Sequence, residues 1–358
     1  MPSGMRSFWV GAVQASRNTL AQGVEAFRAA LFAMLGVAAR RLPRSWALAL
    51  ASASQSLLAV SPMGMRARQV MRATFPAGSN IAKLTANWLG RPFRDHVIAV
   101  RIASRREKLR DWTVEMRGAP AMLNDPKQSY IIATGHFSRE AMTVLYLQWV
   151  IKHRLATVVA PMAQSKDPRG MRVRLQMREI RDGINVVRHG EVDIAEVAGK
   201  SFLVRLLRHL RDPGGAVMIA ADAAWGAQHT GGYTRPFAGF AAQTFALGTA
   251  RLARLSQRPI VACVPFLDGD TRVVMDWGPV IPAPDRDDSS ADIRITNEVL
   301  DWMERRIGER PDQYVLSFGH DRCWSPVAQC WTDGERPQAP ARAVSVKTAS
   351  SRIARSAS

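Results

Sequence analysis

The sequence predicts an α/β fold: a mainly parallel central sheet flanked by helices, preceded by a basic helical N-terminal region. Two observations carry this expectation. From Tyr130 onward, apolar runs of strand length and β-branched content alternate with longer amphipathic stretches, the pattern of strand and crossover helix. From Val24 to Leu109 the apolar residues recur at helical spacing, with a break around Phe75 to Asn80. With 358 residues, 47% of them hydrophobic, the chain can bury a sizeable core, as one large α/β domain or two small ones. No fixed-period repeat is present, which excludes a solenoid.

Taken in order, the strands are expected at Tyr130 to Thr134, Ala156 to Pro161, Ile184 to Arg188, Ala216 to Asp222, Pro259 to Phe266 and Thr271 to Gly278. Helices are expected between them at Glu140 to Lys152, Arg169 to Arg181, Ser201 to Arg211, Ala242 to Ser256 and Asp292 to Gly308. Past Gly334 almost no large apolar residue remains, so residues 334–358 read as a disordered basic tail. The expected organisation is a basic, membrane-associating helical region over 1–110, an α/β domain over 111–333, and that tail.

The formal net charge is +19, which points to an acidic partner: nucleic acid, an anionic membrane or an acidic protein. Only seven of the 49 basic residues are lysine. Arginine suits bidentate phosphate binding, although a GC-rich coding sequence gives the same bias. The charge is unevenly placed, since Met1 to Arg94 hold twelve basic residues and one acid, Glu25. Within that region Ser45 to Met65 are 21 uncharged residues, long enough to span a bilayer. Five serines, Gln55 and Pro62 dilute the stretch, so an interfacial or domain-packed helix is favoured over a spanning one. Arginines beside anionic lipid contribute about 1 kcal/mol each, which favours a membrane surface as partner. Nucleic acid is not expected, because the chain lacks a recognition motif and basic-aromatic interleaving. Cys263, Cys323 and Cys330 are three in number without C-x-x-C spacing, so they read as reduced thiols rather than a disulfide framework or a zinc site.

The stretch "TGHFSREAM", Thr134 to Met142, follows the first expected strand. In open α/β sheets working residues gather where strands end and helices begin. If a helix starts after Phe137, Glu140 lies one turn beyond His136 and its carboxylate can hold one ring nitrogen as the protonated donor. The other nitrogen can then take a proton from a hydroxyl. The same spacing also suits a surface pair or a carboxylate at a helix start. His96, His153, His209 and His229 have no partner nearby in sequence and read as surface or packing residues. There is no G-x-S-x-G elbow, phosphate loop or dinucleotide-binding glycine pattern.

Further along, Pro236-Phe237-Ala238-Gly239, Gly248, Ala250-Arg251-Leu252-Ala253 and Pro259 to Val264 occur in that order, after an acid at Asp222 and before Arg310, Pro311, Gln313, His320, Arg322 and Trp324. This succession resembles the bacterial lipid A late acyltransferases, the lauroyl and myristoyl transferases, within the lysophospholipid acyltransferase-like superfamily. The resemblance covers about Arg40 to Trp324 and rests on order and spacing rather than on one motif. It implies a glycerolipid acyltransferase-like fold and transfer of a fatty acyl chain, from an acyl carrier protein or acyl-CoA, to a hydroxyl of a phosphorylated lyso-lipid or lipid A precursor. No metal or organic cofactor is implied, and the place of action is the cytoplasmic face of the bacterial inner membrane. His136 falls on the family's general base and Glu140 on its orienting acid, as His-x3-Glu where the family has His-x4-Glu or Asp. One missing residue turns the acid by about 100° on a helix. Arg174 or Arg178 falls where the family places an arginine for acceptor phosphate, and Arg188 near a further basic pair. Asp222, Arg235 and Gly239 fall on matching segments expected to bind substrate. The shortened motif leaves a second reading open, a catalytically silent relative that binds anionic lipid or an acidic partner.

Overall fold

The computed structural model describes residues 26–74, 79–137, 154–159, 193–196, 202–223, 232–238, 240–269, 271–314, 322–325 and 330–333, with isolated positions 23, 145, 175, 178 and 182. The N-terminal part is helical: α1 (residues 26–41), α2 (Arg44–Ala59), α3 (Pro62–Thr74) and α4 (Ile81–Ala103). Further helices are α5 (Phe202–Arg211), α6 (Gly248–Ser256) and α7 (Ala291–Glu309). The strands are β1 (Thr113–Arg117), β2 (Tyr130–Thr134), β3 (Arg154–Val159), β4 (Asp193–Glu196), β5 (Gly215–Ala220), β6 (Gly232–Phe237), β7 (Phe240–Ala246), β8 (Ile260–Leu267), β9 (Arg272–Ile281), β10 (Arg322–Ser325) and β11 (Cys330–Asp333).

Seven strands form the central sheet in the order β1-β9-β8-β2-β5-β3-β4, and only the β8–β9 pair is antiparallel. The expected mainly parallel sheet is therefore present. Its central strands β2 and β8 are buried at every position because helices cover both faces. Alternate side chains go to opposite layers. Tyr130, Ile132, Val261 and Cys263 join α1, α2 and α4 in one core, while Ile131, Ala133, Ile260, Ala262 and Val264 join α5, α6 and α7 in the other. The helices of the basic N-terminal region thus pack directly on the sheet and share its core.

Local chemistry fixes how these helices meet. Asn80 caps α4 by accepting the Lys83 N–H at 3.0 Å. The Arg101 guanidinium of α4 donates to the carbonyls of Ala39 and Leu42 at 3.2 and 3.0 Å, satisfying acceptors that the end of α1 leaves without helical donors. Gly36 lets α1 approach α4, since a Cβ there would lie 3.3 Å from His96 Nε2. That nitrogen donates to the Phe32 carbonyl at 2.8 Å, so His96 is the packing residue the sequence suggests.

Several elements differ from expectation. The uncharged stretch Ser45 to Met65 is no single helix: it breaks at Val60–Ser61, and Pro62 opens α3, a position where its missing N–H costs nothing. Among the described residues no helix is long and apolar enough to cross a membrane. α1 and α2 nonetheless turn uncharged faces outward, exposing Phe27, Met34, Val37, Trp46 (67%), Leu50, Leu57 and Val60 (76%). The helix expected over Ala242 to Ser256 is a strand, β7, followed by a shorter helix, α6. Pairing with β6 overrides the helical propensity of this alanine-rich run. β1 was missed because two of its five residues, Glu115 and Arg117, are charged and lie at the sheet edge. The strand expected at Ile184 to Arg188, most of the helices expected over Glu140 to Lys152 and Arg169 to Arg181, and the tail over 334–358 lie outside the described residues.

Candidate functional site

The sheet register builds the site. β2 and β5 are parallel neighbours with Thr134 opposite Ala220, and the Ala221 N–H donates to the Thr134 carbonyl at 2.7 Å. Residues two beyond each strand end therefore emerge side by side at the carboxyl edge of the sheet. They are His136 and Asp222.

One carboxylate grips His136 at two points. Asp222 Oδ1 lies 2.7 Å from the ring Nδ1, and Oδ2 accepts the His136 main-chain N–H at 2.7 Å. Gly135 permits this approach, because a Cβ there would sit 3.1 Å from Asp222 Oδ2 and 3.1 Å from the Phe137 ring. The Asp222 side chain is fully buried, whereas that of His136 is 14% exposed. Burial alone would raise the Asp222 pKa. The charge of His136, its ring and main-chain hydrogen bonds and the Tyr314 hydroxyl outweigh burial, and the carboxyl titrates below its ordinary value. An ionised carboxylate only accepts hydrogen bonds, so Nδ1 carries the ring proton. In the neutral ring Nε2 is then the basic nitrogen.

The surroundings are aromatic. Phe137 is fully buried, edge-on to Phe266 with centroids 5.6 Å apart and tilted against Tyr314 at 5.2 Å. Phe237, at the end of β6, meets Phe245 at 5.0 Å and Tyr314 at 6.2 Å. Gln243 of β7 donates to the Asp222 carbonyl at 3.4 Å. Among the described residues no group of three or more His, Cys, Asp and Glu side chains is placed to hold a metal ion.

Of the residues singled out in the sequence, the structure brings His136 and Asp222 together. Nδ1, the nitrogen that fixes the tautomer, is held by Asp222 from a strand 86 positions away; Glu140 lies outside the described residues, as do Arg174, Arg188 and Gly239. Arg178 is exposed and 3.8 Å from Asp182 on its own segment. Arg235 is committed to α7, where it donates to Asn297 at 3.0 Å, Asp301 at 2.6 Å and Glu304 at 2.9 Å. Glu304 also accepts the N–H of Ala238, whose φ of 49° marks a tight turn. Sequence reasoning missed Tyr314 and Gln243, although Arg310, Pro311 and Gln313, which precede Tyr314, were singled out. Asp222 was legible as an acid ending a strand, yet its partner was not.

The sequence matches no family model and no curated protein. Among solved structures, the chain is similar to the crystal structure of the 1-acyl-sn-glycerophosphate (LPA) acyltransferase PlsC from Thermotoga maritima, at 12% sequence identity and a TM-score of 0.34, over 75% of this chain and 100% of that one.

Proposed function

We propose that the chain is an O-acyltransferase that moves a fatty acyl chain from the thioester of an acyl carrier protein or acyl-CoA to a hydroxyl of a phosphorylated lyso-lipid or lipid A precursor. The observation that carries this reading is the 2.7 Å contact between His136 Nδ1 and a fully buried Asp222 at the carboxyl edge of the sheet. A base oriented and charge-compensated in this way suits proton abstraction from a weakly acidic hydroxyl. The motif succession from Pro236 to Trp324, similar to the lipid A late acyltransferases, supplies the substrate class.

His136 Nε2 takes the acceptor proton as the oxygen attacks the thioester carbonyl carbon. The imidazolium formed is stabilised by Asp222. Collapse of the tetrahedral intermediate breaks the C–S bond, and the departing thiolate receives the proton from Nε2, leaving an ester and a free thiol. The apolar outward faces of α1 and α2, with exposed Arg40 and Arg41 between them, suit peripheral or monotopic seating on an anionic membrane, in this reading the cytoplasmic face of the bacterial inner membrane.

The test is turnover of acyl carrier protein and CoA thioesters on a lipid extract. His136→Ala is expected to lower turnover by about 10²–10⁴-fold. Equal turnover by both proteins removes His136 from the mechanism. No turnover by the unaltered protein favours the silent relative, which the His-x3-Glu spacing motivates, with lipid binding as its remaining activity.

A further inference from the structure

Two helices on one side of the sheet carry arginines that no contact within the described structure explains. α5 buries Leu206 and Leu210 and exposes Arg205, Arg208 and Arg211. α6, packed against it, buries Ala250, Leu252 and Ala253 and exposes Arg251. Among the described residues no hydrogen bond or ion pair engages any of these four guanidinium groups. Two carboxylates on neighbouring elements are already held, Asp212 by Arg154 and Asp292 by Arg254, each at 2.9 Å.

Local energetics do not account for the cluster. A helix dipole favours cations in the last turn, which covers Arg208 and Arg211, but Arg251 stands near the start of α6, where the dipole disfavours them. Arg205, Arg208 and Arg211 follow at three-residue spacing, so like charges are neighbours on the helix and weaken it. A patch of one sign that the fold itself does not use attracts an anionic partner.

The position of the patch selects the partner. The turn from α5 into β5 is short, with the Gly215 N–H donating to the Asp212 carbonyl at 3.1 Å, so α5 runs antiparallel to β5 and its Phe202 end lies towards the carboxyl edge where His136 emerges. Arg258 Nε donates to the Leu210 carbonyl at 3.1 Å and ties the other end of α5 to the segment after α6. Both helices cover the side of the sheet opposite α1 and α2. The exposed large apolar side chains gather on α1 and α2, whereas α5 shows only Val204 among the described residues. A membrane seated on α1 and α2 faces away from this patch, and the patch lacks the apolar side chains that an interfacial helix inserts. Charge without apolar surface suits a soluble acidic protein.

We propose that the face formed by α5 and α6, with Arg205, Arg208, Arg211 and Arg251, docks the acidic carrier protein that brings the acyl thioester, while the acceptor lipid arrives from the side of α1 and α2. This rests on the acyl-transfer reading for the identity of the partner and chooses the carrier protein over acyl-CoA as donor.

The experiment uses the full-length chain and fluorescently labelled dodecanoyl–acyl carrier protein, with binding read by anisotropy. Arg205→Glu with Arg251→Glu changes one exposed arginine on each helix, neither in a last turn. The Kd is expected to rise about tenfold or more, and binding by the unaltered chain to weaken as salt is raised. The same variant is expected to keep its melting temperature within a few degrees and its sedimentation with phosphatidylglycerol vesicles. Trp46→Ser with Leu57→Ser is expected to do the reverse, releasing vesicles and keeping the carrier protein. Arg205→Gln with Arg208→Gln, which adds no negative charge, serves if the glutamate variant fails to fold, with a Kd raised about threefold or more. An unaltered chain that binds no carrier protein, or a Kd that the arginine changes leave in place, overturns the proposal. Arginine changes that release the vesicles together with the carrier protein overturn it as well and assign the patch to the membrane. The two readings fail separately: carrier protein bound at this face by a chain without turnover refutes acyl transfer and leaves the docking face, whereas turnover of dodecanoyl-CoA without carrier binding does the opposite.

Discussion

At the scale of single residues, the site turns on a carboxylate that shares no local motif with its histidine. Asp222→Asn keeps the size of the side chain but presents an amide where Nδ1 needs an acceptor. Turnover is expected to fall by about 10²–10⁴-fold with the far-ultraviolet spectrum unchanged, measured in the assay used for His136→Ala. The depressed Asp222 pKa has its own consequence. A carboxyl with a lower pKa folded than unfolded adds stability above its unfolded pKa, and that contribution drains away as pH falls through the folded value. The residue chemistry was half legible in the sequence. His136 could be chosen from its place after a strand, and Asp222 from ending another, but their contact depends on which strands are neighbours.

Single elements set how close groups approach. Gly135→Ala places a Cβ 3.1 Å from both Asp222 Oδ2 and the Phe137 ring, closer than ordinary contact. Turnover is expected to fall about tenfold or more, with a stability loss of about 1–3 kcal/mol on denaturant titration; an unchanged protein would show that the turn relaxes freely. α1 and α2 give the second test at this scale. Trp46→Ser with Leu57→Ser removes exposed apolar area that contributes little to the core, so the melting temperature should hold within a few degrees while sedimentation with anionic vesicles falls severalfold. Vesicle binding that survives both changes moves the membrane contact to another surface. The elements also show where sequence patterns mislead. An alanine-rich run such as Ala242 to Ala246 favours a helix locally, and only its pairing with Gly232 to Phe237 makes it a strand.

For the whole molecule, acid sensitivity follows from the junction of the helical layers. His96 is buried between α1 and α4, and burial, against the hydrogen bond to Phe32 and with the charge of Arg40, lowers its pKa from 6.5 to about 4. Folding is therefore unpenalised above the unfolded value and weakens as pH falls from 6.5 towards 4, because the unfolded chain takes up the proton first. The loss is on the order of 3 kcal/mol. Denaturant midpoints at pH ~7 and ~4.5 should differ less in His96→Gln than in the unaltered chain; an equal difference assigns the acid sensitivity to other groups. The sequence by itself determined the α/β class, most central strands and the basic helical N-terminal region, and it singled out His136. Periodicity, composition and strand-end position are local properties that a single chain displays. Tertiary structure decided the strand order, the splitting of Ala242 to Ser256, the partner of His136 and the place of Tyr314. Each is a contact between segments far apart in the chain, set by which apolar faces bury one another, and no local pattern records that choice.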